Sequence, residues 1–158
     1  MLGIRLELDG DVQLHRSISR FVDNIQDLSP VWGQVRDEFW DIERELFDSE
    51  GSSGASGGWA PLSPRYARWK AQHHPGARIL HRHGVLEESL TGPGSGSIVR
   101  MRPQELALGS SVRHAGYHQR GTDRMPARKV IDLAGASKTR IMKIIQRWLV
   151  NRHKELLS

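Results

Sequence analysis

The sequence predicts an α+β domain, because three patterns occur together in it. Apolar residues alternate with charged ones at Ile4, Leu6 and Leu8, the mark of a strand with one buried face. They then recur at helical spacing, from Leu14 to Leu46 and again from Ile141 to Leu149. Between these, two strand-like runs are separated by Pro103-Gln104. The expected arrangement is an N-terminal strand, two amphipathic helices, a short antiparallel sheet and a C-terminal amphipathic helix. A chain of 158 residues is the size of one domain, taken here as residues 1–158 with a flexible Gly/Ser loop at about 48–58.

Asp9-Gly10 closes the first strand as a turn pair. Leu14, Ile18, Phe21, Ile25 and Leu28 then form the stripe of a first helix, which Ser29-Pro30 ends or interrupts. A second runs from about Val31 to Phe47, with Trp32, Val35, Phe39, Ile42 and Leu46 on one side. The pair is either an antiparallel hairpin or one helix kinked at Pro30, and its stripe forms core or, in part, a subunit contact. The tract DSEGSSGASGG, Asp48 to Gly58, is either a disordered loop or a segment ordered against a neighbouring subunit.

Beyond Trp59, Ser63 is placed to cap and Pro64 to open a short helix with Tyr66 and Trp69, which His74-Pro75-Gly76 breaks. Gly84 allows a turn before Leu86 and Leu90, one helical turn apart. Ser97–Arg102 and Glu105–Gly109 are expected to pair as a hairpin, and Val130, Ile131 and Leu133 as a further short strand-like element. A C-terminal helix starts at Ser137, with Ile141, Ile144, Ile145, Trp148 and Leu149 inward and Lys143, Arg147, Arg152 and Lys154 around the rest.

Composition narrows the chemistry. With no cysteine, disulfides, thiol nucleophiles and Cys-based zinc sites are excluded. No apolar run is long enough to cross a bilayer, and the opening residues lack a signal-peptide core, so no membrane role is expected. The net charge is +5 and uneven: acidic residues prevail up to Ser49, arginine and lysine from Arg65 onward. A basic half suits nucleic acid, an acidic partner or the acidic half of another copy. His81 with His83, and His114 with His118, are the only histidine pairs at chelating spacing, and neither has an obvious third ligand. There is no G-x-S-x-G elbow, and GASKTR lacks the spacing of a phosphate loop. Enzymatic activity, a metal and a cofactor are therefore not expected.

The order and spacing of several short motifs carry the strongest signal. They are Ile79-Leu80, Gly84-x-Leu86-x-x-Ser89-Leu90, Gly109, Tyr117-His118-Gln119-x-Gly121 and Pro126-Ala127-Arg128. In this order the chain resembles the virion-morphogenesis and tail-completion proteins of tailed bacteriophages, the family of the tail-completion G protein of phage Mu. That resemblance implies a non-catalytic virion protein that completes the tail and helps join it to the head, as a ring subunit at the neck. Its implied partners are further copies of itself, tail terminator or tail tube proteins, and head-completion or connector proteins, with nonspecific proximity to packaged DNA. Its implied location is the virion, and the host cytoplasm during assembly. The resemblance places interface roles on Tyr117, His118, Gln119 and Arg128, and backbone-shaping roles on Gly84, Gly109, Gly121 and Pro126. Arg128→Glu is expected to reduce assembly while leaving folding largely intact. A generic oligomeric adaptor and a DNA-binding accessory protein are the alternatives.

Overall fold

The computed structural model describes residues 2–5 and 27–157, with side chains described for residues 27–152. Along the chain lie β1 (Leu2–Arg5), α1 (Ser29–Asp48), α2 (Pro64–His73), α3 (Val85–Thr91), β2 (Ser97–Arg102), β3 (Glu105–Ser110), α4 (Ala115–Arg120) and α5 (Gly135–Leu157). The expected arrangement is overturned. Among the described residues there are five helices around a small open sheet, and three of them, α2 to α4, stand between α1 and α5. The expected helix bearing Leu14, Ile18, Phe21 and Ile25 lies outside the described residues. So do Leu6, Leu8 and Asp9-Gly10.

Pro30 sits in the first turn of α1, and the helix it was expected to end or interrupt lies outside the described residues. Proline is suited to that position because its φ is already helical and no partner is needed for its missing N–H. Asp27 Oδ1 accepts from the Ser29 N–H at 2.8 Å. Two long-range bonds then tie the start of α1 to the β2–β3 turn: Leu28 N–H donates to Pro103 O and Trp32 Nε1 to Arg102 O, each at 2.7 Å. Val31, Val35, Phe39, Ile42 and Leu46 are buried along one stripe of the helix. They pack against Ile141, Ile145 and Leu149 of α5 and Leu86 and Leu90 of α3, so α1 is the axis of the core. Arg140 of α5 clamps the outer edge of this contact, reaching Glu38 and Glu45 of α1.

β3 is the central strand, antiparallel to both β1 and β2, with Ser97 opposite Ser110 and Arg102 opposite Glu105. Leu106 and Leu108 are buried on its inner face, whereas Val99 and Met101 of β2 remain partly exposed. The sheet meets α3 through a fully buried hydroxyl pair, Ser89 and Ser110, 2.7 Å apart. Ser89 also donates to Leu86 O and Ser110 Oγ accepts from the Val112 N–H, so neither hydroxyl is left without a partner.

The Gly/Ser tract expected to be a flexible connector carries a chain of bonds. Gly51 N–H donates to Leu46 O, Trp59 N–H to Glu50 O, and Ser56 N–H to Asp132 Oδ2 at 2.6 Å. Gly51 has φ +87°, and a Cβ there would fall 2.5 Å from the Trp59 indole. That indole is edge-on to Phe47 and donates to Lys129 O at 2.8 Å. Val130, Ile131 and Leu133 form no strand, although Val130 and Ile131 are buried. Their backbone is instead satisfied by a side chain, described next.

Candidate functional site

The region from His114 to Arg128 contains the short helix α4. Its first turn closes with the His118 N–H on His114 O at 3.1 Å. The helix ends at Gly121, whose φ of +75° lies in the left-handed region. A Cβ at Gly121 would lie 2.8 Å from Ala127 N, so the returning chain passes where only a glycine leaves room. A tight Thr122–Met125 bridge then brings Pro126 and Arg128 back beside α4.

Gln119 acts as a substitute strand. Its Oε1 accepts from the Val130 and Ile131 N–H groups at 2.9 and 3.1 Å, and its Nε2 donates to Ile131 O at 2.9 Å. One amide thus satisfies three backbone groups of a buried segment that has no ladder partner. Arg128, 5% exposed, does similar work elsewhere. Its Nε donates to Ala60 O at 2.7 Å and its Nη2 to Pro61 O at 2.8 Å, while its own N–H reaches His118 O. Burial pushes the guanidinium below the ordinary arginine range. Because two carbonyls depend on it, Arg128→Glu is now expected to loosen the fold, contrary to the expectation from sequence.

These pieces enclose one face of a cavity of about 580 Å³. Leu62, Tyr66 and Lys70 come from α2 and its approach; Leu80, Arg82 and His83 from the segment after it; and Val85 and Leu86 from α3. His114, His118, Arg124, Met125, Pro126 and Arg128 close the other side. Ser63 caps α2 by accepting from the Tyr66 N–H at 3.4 Å. Lys70 is buried and donates to Arg78 O, and burial lowers its pKa despite the nearby Glu50 carboxylate. Arg78 bridges Asp48 and Glu87, and Glu50 Oε1 accepts from the Ile79 N–H, which holds the wall segment against the end of α1 and the start of α3. Within that wall Leu80 adopts φ +62°, an uncommon conformation for a bulky residue.

Of the residues singled out by sequence, His118, Arg128, Gly84 and Pro126 line this cavity together. Gly84, with φ +77°, precedes α3. Tyr117 lies outside the lining and is 46% exposed, Gln119 supports the wall from behind, and Gly109 is buried within β3. His118 is driven down to about pKa 4 by burial and by the neighbouring His114 and Arg128, so it is neutral at physiological pH. His81 contacts Glu87 Oε2 at 2.6 Å, His83 packs against His74, and no group of three potential ligands occurs among the described residues. Sequence reasoning missed Arg82, Arg124 and the apolar wall. A signal for Arg82 was present, since the chain holds no Asp or Glu between Glu50 and Glu87, whereas Arg124 follows Asp123 and carried none.

The fold and site therefore define a small helix-and-sheet domain with a carboxylate-free, cation-rimmed cavity. It belongs to the phage virion morphogenesis family, which matches residues 9–150. The protein is thus a component of phage tail morphogenesis with a structural role. No curated protein and no solved structure matches the chain. No helix among the described residues is long and apolar enough to cross a membrane.

Proposed function

We propose that the protein completes the phage tail and helps join it to the head, as a ring subunit at the neck that acts by assembly without catalysis. Family membership over residues 9–150 carries this reading. The charge asymmetry supports it, since an acidic N-terminal part and a basic remainder favour head-to-tail pairing, the contact that closes rings. Exposed Tyr117 is the proposed contact residue, while Gln119, His118 and Arg128 hold the wall it projects from. Further copies of the chain, tail proteins and head-completion proteins are the proposed neighbours, in the virion and in the host cytoplasm during assembly.

Quantitative mass spectrometry of purified particles tests the proposal. A fixed low copy number that survives nuclease and salt washing is expected. Absence from mature particles, with the protein abundant in the lysate, would overturn the neck assignment.

A further inference from the structure

We infer that the cavity between α2, α3 and α4 is a socket for an acidic protein segment carrying an apolar anchor: a Leu, Met or Phe side chain flanked by Asp or Glu. A socket of this kind rests on the assembly role proposed above for the source of the segment, but not for its chemistry. The volume of about 580 Å³ falls within the range of about 300–1,000 Å³ usual for ligand sites, larger than a single ion needs. Leu62, Leu80, Val85, Met125 and Pro126 give it apolar walls, suited to a side chain that leaves water.

Its lining carries charge of one sign, while Glu88, whose carboxylate neighbours Gly84, and Asp123, next to Arg124 in the chain, flank lining residues. None of its lining residues is a carboxylate, whereas Arg82, Arg124, Lys70 and Arg128 are cationic. Ion pairs engage Arg36, Arg44, Arg78, Arg102 and Arg140 elsewhere in the fold. No ion pair with a described carboxylate engages Arg82 or Arg124 at the mouth, nor exposed Arg65 and Arg68 on α2. Arg82 is also held in place, its guanidinium 5.2 Å from the centre of the Trp69 ring. An arginine already positioned by stacking loses less freedom when a carboxylate arrives.

The same rings argue against nucleic acid as occupant. A base needs an open aromatic face, but Trp69 is stacked with Tyr66 (5.6 Å, 19°) and His73 (4.7 Å, 17°). The Trp69 ring is therefore part of a packed stack, and Tyr66 is the aromatic residue that faces the cavity. Carboxylates meeting arginines at the mouth, with an apolar anchor below, match both halves of the site.

The test uses the purified full chain and an array of short acidic peptides. Each carries Leu, Ile, Met, Phe or Trp at the centre of an Asp/Glu run; Lys-for-acid peptides and mixed-sequence duplex and single-stranded DNA serve as controls. Acidic peptides with an apolar centre are expected to bind, and peptides with Gly at the centre or Lys flanks are not. The double variant Arg82→Glu/Arg124→Glu should weaken binding by about tenfold or more. Val85→Trp, which fills the cavity from a partly exposed position, should do so without altering charge. Thermal melting of both variants confirms retained folding. Absence of binding to any acidic peptide, equal binding by folded variants, or stronger and salt-sensitive binding to DNA would each overturn the socket. Particle copy number is independent of this result. A protein absent from particles that still binds the peptides refutes the neck role alone, and a particle-borne protein that binds none refutes the socket alone.

Discussion

Glu43 is fully buried in α1, and neither of its carboxylate oxygens has a hydrogen-bond partner. Desolvation first, and the charge of Asp132 second, raise its pKa well above the ordinary carboxyl value of 4.5. The folded state therefore holds this proton more tightly than the unfolded chain. Its effect on stability is neutral below pH 4.5 and becomes a growing penalty as pH rises from there through the folded pKa. Glu43→Gln should match the parent at pH 4 and exceed its melting temperature at pH 8; equal melting at both values would refute the assignment. His118 slopes the other way. Its folded pKa of about 4 lies below the ordinary 6.5, so stability is lost as pH falls through that interval. His118→Gln should flatten this acid limb in denaturant titrations. At Gln119, removal of three backbone partners by Gln119→Ala should cost roughly 2 kcal/mol or more. Gln119→Glu, which sets a carboxylate oxygen against Ile131 O in place of the donor, should cost at least as much; a variant as stable as the parent would show that the Val130-Ile131 segment is held otherwise.

At the scale of elements, α1 organises the core because α5, α3 and β2 all pack on it. Phe39, 2% exposed, stands at its middle, and Phe39→Ala should cost about 3–5 kcal/mol by urea denaturation. The turn after α1 depends on Gly51. Alanine there must accept φ +87° and displace the Trp59 ring, so Gly51→Ala should destabilise by about 2 kcal/mol. Loss of indole burial, seen as a red shift in tryptophan emission, would accompany it. α1 and α5 were legible in sequence because long stripes at steps of three and four leave little ambiguity. The hairpin was legible because its turn residues are explicit. α4 was not, since six residues with a glycine at the second position carry no readable period, and the Val130-Ile131 segment was misread because buried β-branched residues look alike whether paired in a ladder or held by a glutamine.

For the molecule as a whole, opposite charges gathered on different parts of the chain should couple assembly to ionic strength. Self-association followed by sedimentation should weaken between about 0.1 M and 1 M salt, as the screening length falls from ~10 Å to ~3 Å. Insensitivity to salt would place the contact between copies on apolar surface instead. The acidic-peptide socket makes a separate demand at this scale, since its walls come from segments up to 66 residues apart, Leu62 to Arg128.

The sequence by itself determined the family, the lack of cysteine chemistry, the helical stripes of α1 and α5, and the hairpin, because each is a property of near neighbours or of motif order. Tertiary structure alone decided that Arg128 and Gln119 spend their hydrogen bonds on the fold, and that Arg82 and Arg124 share a cavity with Leu62 and Met125. Those outcomes depend on which distant backbone groups lack partners and on where charges end up without counterions. Neither quantity exists until the chain has closed on itself.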